Sequence, residues 1–359
     1  MEHLIPQHWF DPLNTWLLTL IALVVIAVLV KGADMLVDGA SGLAYKLGMP
    51  KVIVGATIVS LGTTSPEAAV SVMAAWSGDA GLALGNAVGS IIADSGLIFG
   101  IGCLLAVLPA DKFVLNRQGW VQFGSGVLLA AICYAMFALD GNKAVLDRWV
   151  GVLLLSLLVV YLVVSVKWAR QHPEGEPFIA TNDITTTTMV TGETESEAKS
   201  KKLIVLIALL VFGLVIVLIS SRVLVCSARE VAIRWGIPQA VISATLIALG
   251  TSLPELATAI SCIRKGHKEL LVGNIVGADI LNVLFVVGAA AIAAPLPIVE
   301  HGNRVFLIVH MPVILSLLVL FRIFIFNAIR VGHFSRWMGI PLLLTYIAFV
   351  LLCFLSGEH

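Results

Sequence analysis

Ten apolar runs, most of them near or above the ~20 residues that carry a helix across ~30 Å of hydrocarbon, limit what this chain can fold into. They cover roughly residues 16–30, 52–76, 82–108, 123–137, 150–166, 203–224, 240–263, 270–294, 305–321 and 340–355. Hydrophobic residues make up 59% of the sequence, charged ones 12%, and mean hydropathy is +1.02, too apolar for an ordinary soluble domain. Only helices and closed barrels satisfy their backbone polar groups in lipid, and the alternating pattern of a barrel is absent, so an all-α membrane protein of ten transmembrane helices is expected. The opening "MEHLIPQHWFDPLN" holds no Lys or Arg, and no small-residue cleavage pattern follows the first run. That run reads as a retained span rather than a signal peptide.

Net charge is zero, which argues against a nucleic-acid partner. The placement of the basic residues is more informative. If ten spans start from an external N-terminus, Lys143, Arg148, Arg222, Arg229, Arg234 and Arg304 fall outside, six of the 22 Lys and Arg, and the other sixteen fall inside. The positive-inside rule then expects both termini outside, in an inner or plasma membrane. The five cysteines, Cys103, Cys133, Cys226, Cys262 and Cys353, stand singly in apolar runs. They show neither metal-ligand spacing nor a disulfide framework and read as packing residues.

Shifting the sequence by 188 positions, the interval from Glu67 to Glu255, lays residues 35–100 on 223–288 without a gap. "LGTTSPE" falls on "LGTSLPE", "GNAVG" on "GNIVG", Ala56-Thr57 on Ala244-Thr245, and Gly48 and Pro50 on Gly236 and Pro238. This is an internal duplication. Each half carries five spans, an odd number, so the second enters the membrane in the opposite sense. Inverted repeats interrupted at corresponding places point to a secondary transporter with its site near the midplane. The expected division is a first five-helix repeat at 1–170, a linker at 171–202 and a second repeat at 203–359. The linker is polar, Thr-rich and acidic before a basic end; its acids lack the spacing of a calcium loop, so it reads as a flexible cytoplasmic connection.

The chemistry concentrates around the two prolines. Pro66 and Pro254 lack a backbone donor and would release the carbonyls of Gly62 and Gly250 from their helical bonds. Thr63 and Thr64 precede Glu67 by four and three residues, as Thr251 and Ser252 precede Glu255, so hydroxyls, loosened carbonyls and a carboxylate share one face. Asn86, Ser90 and Asp94 are spaced by four, and their mates are Asn274, Ala278 and Asn282. Gly85/Gly89 and Gly273/Gly277 are small-xxx-small pairs that would let helices approach closely. Oxygen-only sets suit hard cations such as calcium and sodium. An ionised Glu at the bilayer centre costs at least ~2.5 kcal/mol, and these four spans hold no basic residue to compensate it, so bound cations are expected to do so.

The paired G-T-[ST]-x-P-E and G-N-x-x-G motifs resemble the α-repeats of the cation/calcium exchanger superfamily, in its sodium/calcium exchanger branch. The resemblance covers nearly the whole chain and implies a four-helix core from spans two, three, seven and eight. It implies that Glu67 and Glu255 are the central carboxylates shared by Ca²⁺ and Na⁺, and that Thr63, Thr64, Thr251 and Ser252 with the carbonyls of Ser60 and Ala248 complete the sodium sites. Ser90, Asp94 and Asn282 match further liganding positions; Asn86 and Asn274 match supporting core asparagines. Three departures from the pattern stand out. Ala278 replaces a common hydroxyl, Asp94 and Asn282 exchange the usual amide and acid, and Asp279 replaces a common asparagine one helical step off the Asn274–Asn282 face. Asp34 and Asp38, in "KGADMLVDG", resemble the start of the family's gating helix and read as interfacial.

The implied activity is a secondary active antiport of calcium against sodium by a functional monomer embedded in lipid. It needs no cofactor and no catalytic residues, because the inorganic cations themselves are substrates. Calcium/proton or potassium-dependent exchange is the nearest alternative, although Asn282 lowers the expectation of potassium dependence. A passive cation channel would differ in needing no counter-ion. From another class, an intramembrane aspartyl protease could pair Asp94 with Asp279, but the duplicated proline–glutamate segments would then have no purpose, and no H-E-x-x-H occurs.

Overall fold

The computed structural model describes residues 6–171, 202–236, 250–299 and 304–355. Ala248 and the interior of the expected linker lie outside these residues. Among the described residues the architecture is helical apart from four two-residue strands. In chain order the helices are α1 (Thr15–Leu47), α2 (Lys51–Thr63), α3 (Ser65–Trp76), α4 (Ala80–Leu105), α5 (Lys112–Asp140), α6 (Arg148–Gln171), α7 (Leu203–Arg234), α8 (Leu253–Arg264), α9 (Lys268–Ala293), α10 (Phe306–Val331) and α11 (Gly339–Leu355). Among the described residues, eight helices are continuous, long and apolar enough to cross a membrane. The second apolar run is not one of them, because it is broken at Thr64 into α2 and α3. The seventh is described only from Gly250 onward.

Helix α1 starts at Asn14, whose side chain accepts the Leu17 N–H at 2.7 Å, and ends at Gly48 in the left-handed region with φ 62°. Its 33 residues far exceed the first apolar run, because the stretch beyond that run is buried by its neighbours. At ~1.5 Å per residue it is about 50 Å long, so it must tilt or project from a ~30 Å core. Helix α7 lies antiparallel against it: Gly39 faces Leu210 and Gly32 faces Ile216. The contact depends on missing side chains. A Cβ at Gly39 would sit 2.5 Å from the Leu210 nitrogen, and one at Gly213 2.4 Å from that of Leu36.

Helix α9 is the centre of the bundle, with every residue from Leu270 to Leu281 buried. It crosses α2 at backbone contact, since a Cβ at Gly273 would lie 2.0 Å from the Val52 carbonyl oxygen and one at Gly277 2.4 Å from that of Ala56. The other expected small-residue pair, Gly85 and Gly89, makes no such approach among the described residues.

Several elements recur at the 188-residue interval. Helices α3 and α8 do so at both ends, and the left-handed glycines Gly48 and Gly78 (φ 62° and 81°) return as Gly236 and Gly266 (φ 73° and 76°). The strands follow the same interval: β1 (Leu108–Pro109) and β2 (Val145–Leu146) correspond to β3 (Leu296–Pro297) and β4 (His333–Phe334). They pair across the halves. Leu108 faces Phe334 in β1–β4, and Leu146 faces Leu296 in β2–β3, both antiparallel.

Candidate cation-binding site

The site begins at two matching breaks. Thr64 (φ −81°, ψ −6°) and Ser252 (φ −86°, ψ 6°) both occupy the sparsely populated bridge region. A new helix starts immediately after each, with Pro66 and Pro254 in its first turn. At the start of a helix the missing N–H has no intrahelical partner to lose, so each proline stands where a helix tolerates it best. This placement puts Glu67 and Glu255 in the first turns of α3 and α8, where the helix dipole favours negative charge, while α2 ends with carbonyls directed toward the break at Thr64. Both glutamates are only 1% exposed.

Packing then draws the two breaks together. Glu67 lies within electrostatic reach of Glu255 and Asp94, and Asp94 within reach of Glu255. The Thr63 hydroxyl lies beside the Glu255 side chain and 3.5 Å from Asn274 Oδ1, so a residue of α2 joins α8 and α9. Asn86 donates to the Glu67 carbonyl at 3.1 Å and to Ser71 Oγ at 3.0 Å, which holds α4 on α3. Asp94 and Asn282 each sit in a π-turn, Ala93–Ile98 in α4 and Asn282–Val287 in α9. Such turns break the regular i to i+4 ladder and recur at functional sites.

The electrostatic content of this region is an excess of unmet oxygen. Thr64 Oγ1, Glu67 Oε2, Ser90 Oγ, Asp94 Oδ1, Ser252 Oγ, Glu255 Oε2 and Asn282 Oδ1 are all buried and have no hydrogen-bond partner among the described residues. Buried polar atoms are nearly always satisfied, so a group of seven acceptor-capable oxygens calls for a positive ligand. Among the described residues, no three acidic, His or Cys side chains converge tightly enough to hold an ion by themselves. Any cation here would depend on hydroxyl, amide and carbonyl oxygens beside the carboxylates, the donor set of hard metals.

The remaining sequence candidates fall as follows. The Ser60 carbonyl accepts the Thr64 N–H at 2.8 Å and, at a long 3.4 Å, the Thr63 hydroxyl. Thr251 is half-buried, and Ala278 is fully buried without a polar atom. Asp279 turns toward α5, where Gln122 Nε2 donates to its Oδ2 at 2.6 Å, and Ser95 Oγ donates to the same oxygen. Asp34 accepts from Ser261 Oγ at 2.6 Å and faces Arg264 at 3.9 Å, while Asp38 meets Lys265 at 2.6 Å, tying α1 to the end of α8. Beside them, His267 contacts Ser41 at 3.4 Å and Lys51 at 3.5 Å. Burial, with Lys51 and Lys265 adding to it, pushes its imidazole down to about 3. Ser95, Gln122 and the α1–α8 contacts escaped the sequence reading. A usable signal existed in Gln118 and Gln122, two amides four apart just ahead of the fourth apolar run.

The profile described as sodium/calcium exchanger protein matches residues 17–167 and, separately, 205–355. The chain belongs to that family. It is 30% identical over 352 residues to the sodium/calcium exchanger MaX1 of Methanosarcina acetivorans, a match covering 93% of this chain and 98% of the relative. It is also 35% identical over 280 residues to the inner membrane protein YrbG of Escherichia coli, covering 78% and 81%. A solved structure of the sodium-calcium exchanger NCX_Mj, soaked with Na⁺ and Sr²⁺, superposes with a TM-score of 0.73 at 25% identity, over 93% of this chain and 98% of that one. This exchanger is thus a transmembrane antiporter of inorganic cations and not an enzyme, which removes the protease alternative for Asp94 and Asp279.

Proposed function

We propose that the protein exchanges calcium for sodium by alternating access, with Glu67 and Glu255 as the shared central ligands. The observation that carries this reading is the set of buried, unpartnered oxygens contributed by both halves at the two helix breaks. Thr63, Thr64, Thr251, Ser252, Ser90, Asp94 and Asn282, with the carbonyls of Ser60 and Ala248, complete the sites; Asn86 and Asn274 support them. Glu67, Glu255 and Asp94 supply three negative charges, which either one Ca²⁺ or several Na⁺ can offset. An empty pocket resists the crossing because its carboxylates are then uncompensated.

The ten-helix, two-repeat organisation with a linker at 171–202 is supported by the double family match and by strands that pair across the halves. In this reading α1 and α7 are the moving elements, gliding as an antiparallel pair over the core. Both termini lie outside, as the distribution of Lys and Arg favours, and one chain suffices for transport.

The test is calcium-45 uptake into vesicles containing the purified protein. A sodium gradient at fixed pH drives accumulation, and Glu67→Gln or Glu255→Gln reduces it at least about tenfold, the equivalent of ~1.4 kcal/mol of lost ion binding. Accumulation that follows a pH gradient and ignores sodium would establish calcium/proton exchange instead. Calcium flux without any counter-ion would mark a channel.

A further inference from the structure

Three helices meet at one oxygen of Asp279. The residue lies in α9, buried and three positions before Asn282, and its Oδ2 accepts from Gln122 Nε2 of α5 at 2.6 Å and from Ser95 Oγ of α4. Gln122 Nε2 also approaches Ser95 Oγ at 3.5 Å, so the three buried side chains close a triangle. Ser95 directly follows Asp94 within the π-turn Ala93–Ile98, where the regular ladder is broken and the backbone by itself holds the chain less firmly. The side chains that Ser95 meets on α5 and α9 therefore fix this turn from outside its own helix. An acid is a costly anchor in a bilayer, and among the described residues no Lys, Arg or His pairs with it. Hydrogen bonds to a carboxylate are about twice as strong as those to a neutral acceptor, which suits a part that must hold its position. The interval of 188 places Ile91, Val283 and His310 at the equivalents of Asp279, Ser95 and Gln122. The triangle thus serves one π-turn only, the one that carries an acid, Asp94, where the other carries the amide Asn282.

We propose that Asp279 and Gln122 are positioning residues of the exchange site: they hold Ser95, and through the π-turn they set the direction in which Asp94 presents its carboxylate. The inference rests on the reading that Asp94 is a cation ligand. Asp94 Oδ1 is buried and has no hydrogen-bond partner among the described residues, so its aim depends on the backbone that carries it. Groups that orient a metal ligand commonly account for about 10- to 100-fold in affinity, although they never touch the ion.

The experiment is calcium-45 equilibrium binding to the purified full chain. Asp279→Leu and Gln122→Leu each weaken calcium binding about tenfold, while Asp279→Asn, which keeps an oxygen for both donors, stays within about threefold of the wild type. The same substitutions are then made in Asp94→Asn. With the charge of Asp94 removed there is less to aim, and the tenfold factor of Gln122→Leu shrinks below about threefold; a general loss of packing would multiply through and keep it whole. Binding as weak in Asp279→Asn as in Asp279→Leu would overturn the proposal, since charge and not position would then be at work. So would an undiminished factor for Gln122→Leu in Asp94→Asn, a result that stands even if neither variant of Asp279 can be purified. Failure of the underlying reading shows separately, as calcium binding in Asp94→Asn alone that equals the wild type's.

Discussion

Ala278 occupies the centre of the Asn274–Asn282 row, fully buried and without an oxygen, opposite in sequence to the Ser90 hydroxyl. Ala278→Ser should therefore add a ligand. One further polar contact is worth ~1 kcal/mol, so the sodium concentration that half-displaces calcium-45 should fall by about fivefold. An unchanged value would place this row outside the sodium sites. His267 gives a pH prediction. Its folded value of about 3 lies below the ordinary 6.5, so the unfolded chain binds more protons between these limits. Its contribution to stability is fully present above about pH 6.5 and is lost as pH falls toward 3. Melting temperature in detergent should drop between pH 7 and pH 5, and His267→Gln should show a smaller drop. At this scale most of the pocket was legible, because Glu67, Glu255, Thr64, Ser252 and Asp94 are polar residues in runs that otherwise exclude them. The partners of Asp279 were not, since the contacts with Ser95 and Gln122 join residues 184 and 157 positions away.

The α1–α8 contact makes a prediction at the level of elements. The Asp38–Lys265 pair is about 30% exposed, so it contributes no more than ~1 kcal/mol after solvent screening. Lys265→Met should speed hydrogen exchange in the second half of α1 by up to about fivefold and leave α5 unchanged; unaltered protection of α1 would show that the pair does not hold the helix. The breaks at Thr64 and Ser252 were readable from proline beside hydroxyl residues, although the sequence alone pointed to released carbonyls and not to new helix starts. The π-turns at Ala93–Ile98 and Asn282–Val287 had no such mark. Their segments, "ADSGLI" and "NVLFVV", contain no proline, and the inserted register comes from packing against other helices. The true length of α1 was hidden for a related reason. Lys31, Asp34, Asp38 and Lys46 follow the apolar run, yet α7 and α8 bury much of the helix around them.

Across the whole molecule, correspondence between the halves supplies both the scaffold and the site. The same interval that relates Glu67 to Glu255 relates helix ends, left-handed glycines and strands that pair with the opposite half. Ser90, Asp94 and Asp279 break the correspondence, since their mates are Ala278, Asn282 and Ile91, so the chemistry of the pocket is less symmetric than its frame. The duplication was plain in sequence because motif and spacing repeat together, whereas the strand exchange depends on loops too short to carry a pattern. The most direct test of a cation held jointly by the two halves is anomalous scattering from crystals soaked in strontium, calcium's heavier stand-in. One strong peak should lie between the Glu67 and Glu255 carboxylates and vanish in Glu67→Gln crystals; a peak distant from either glutamate, or none at all in the wild type, would contradict the account.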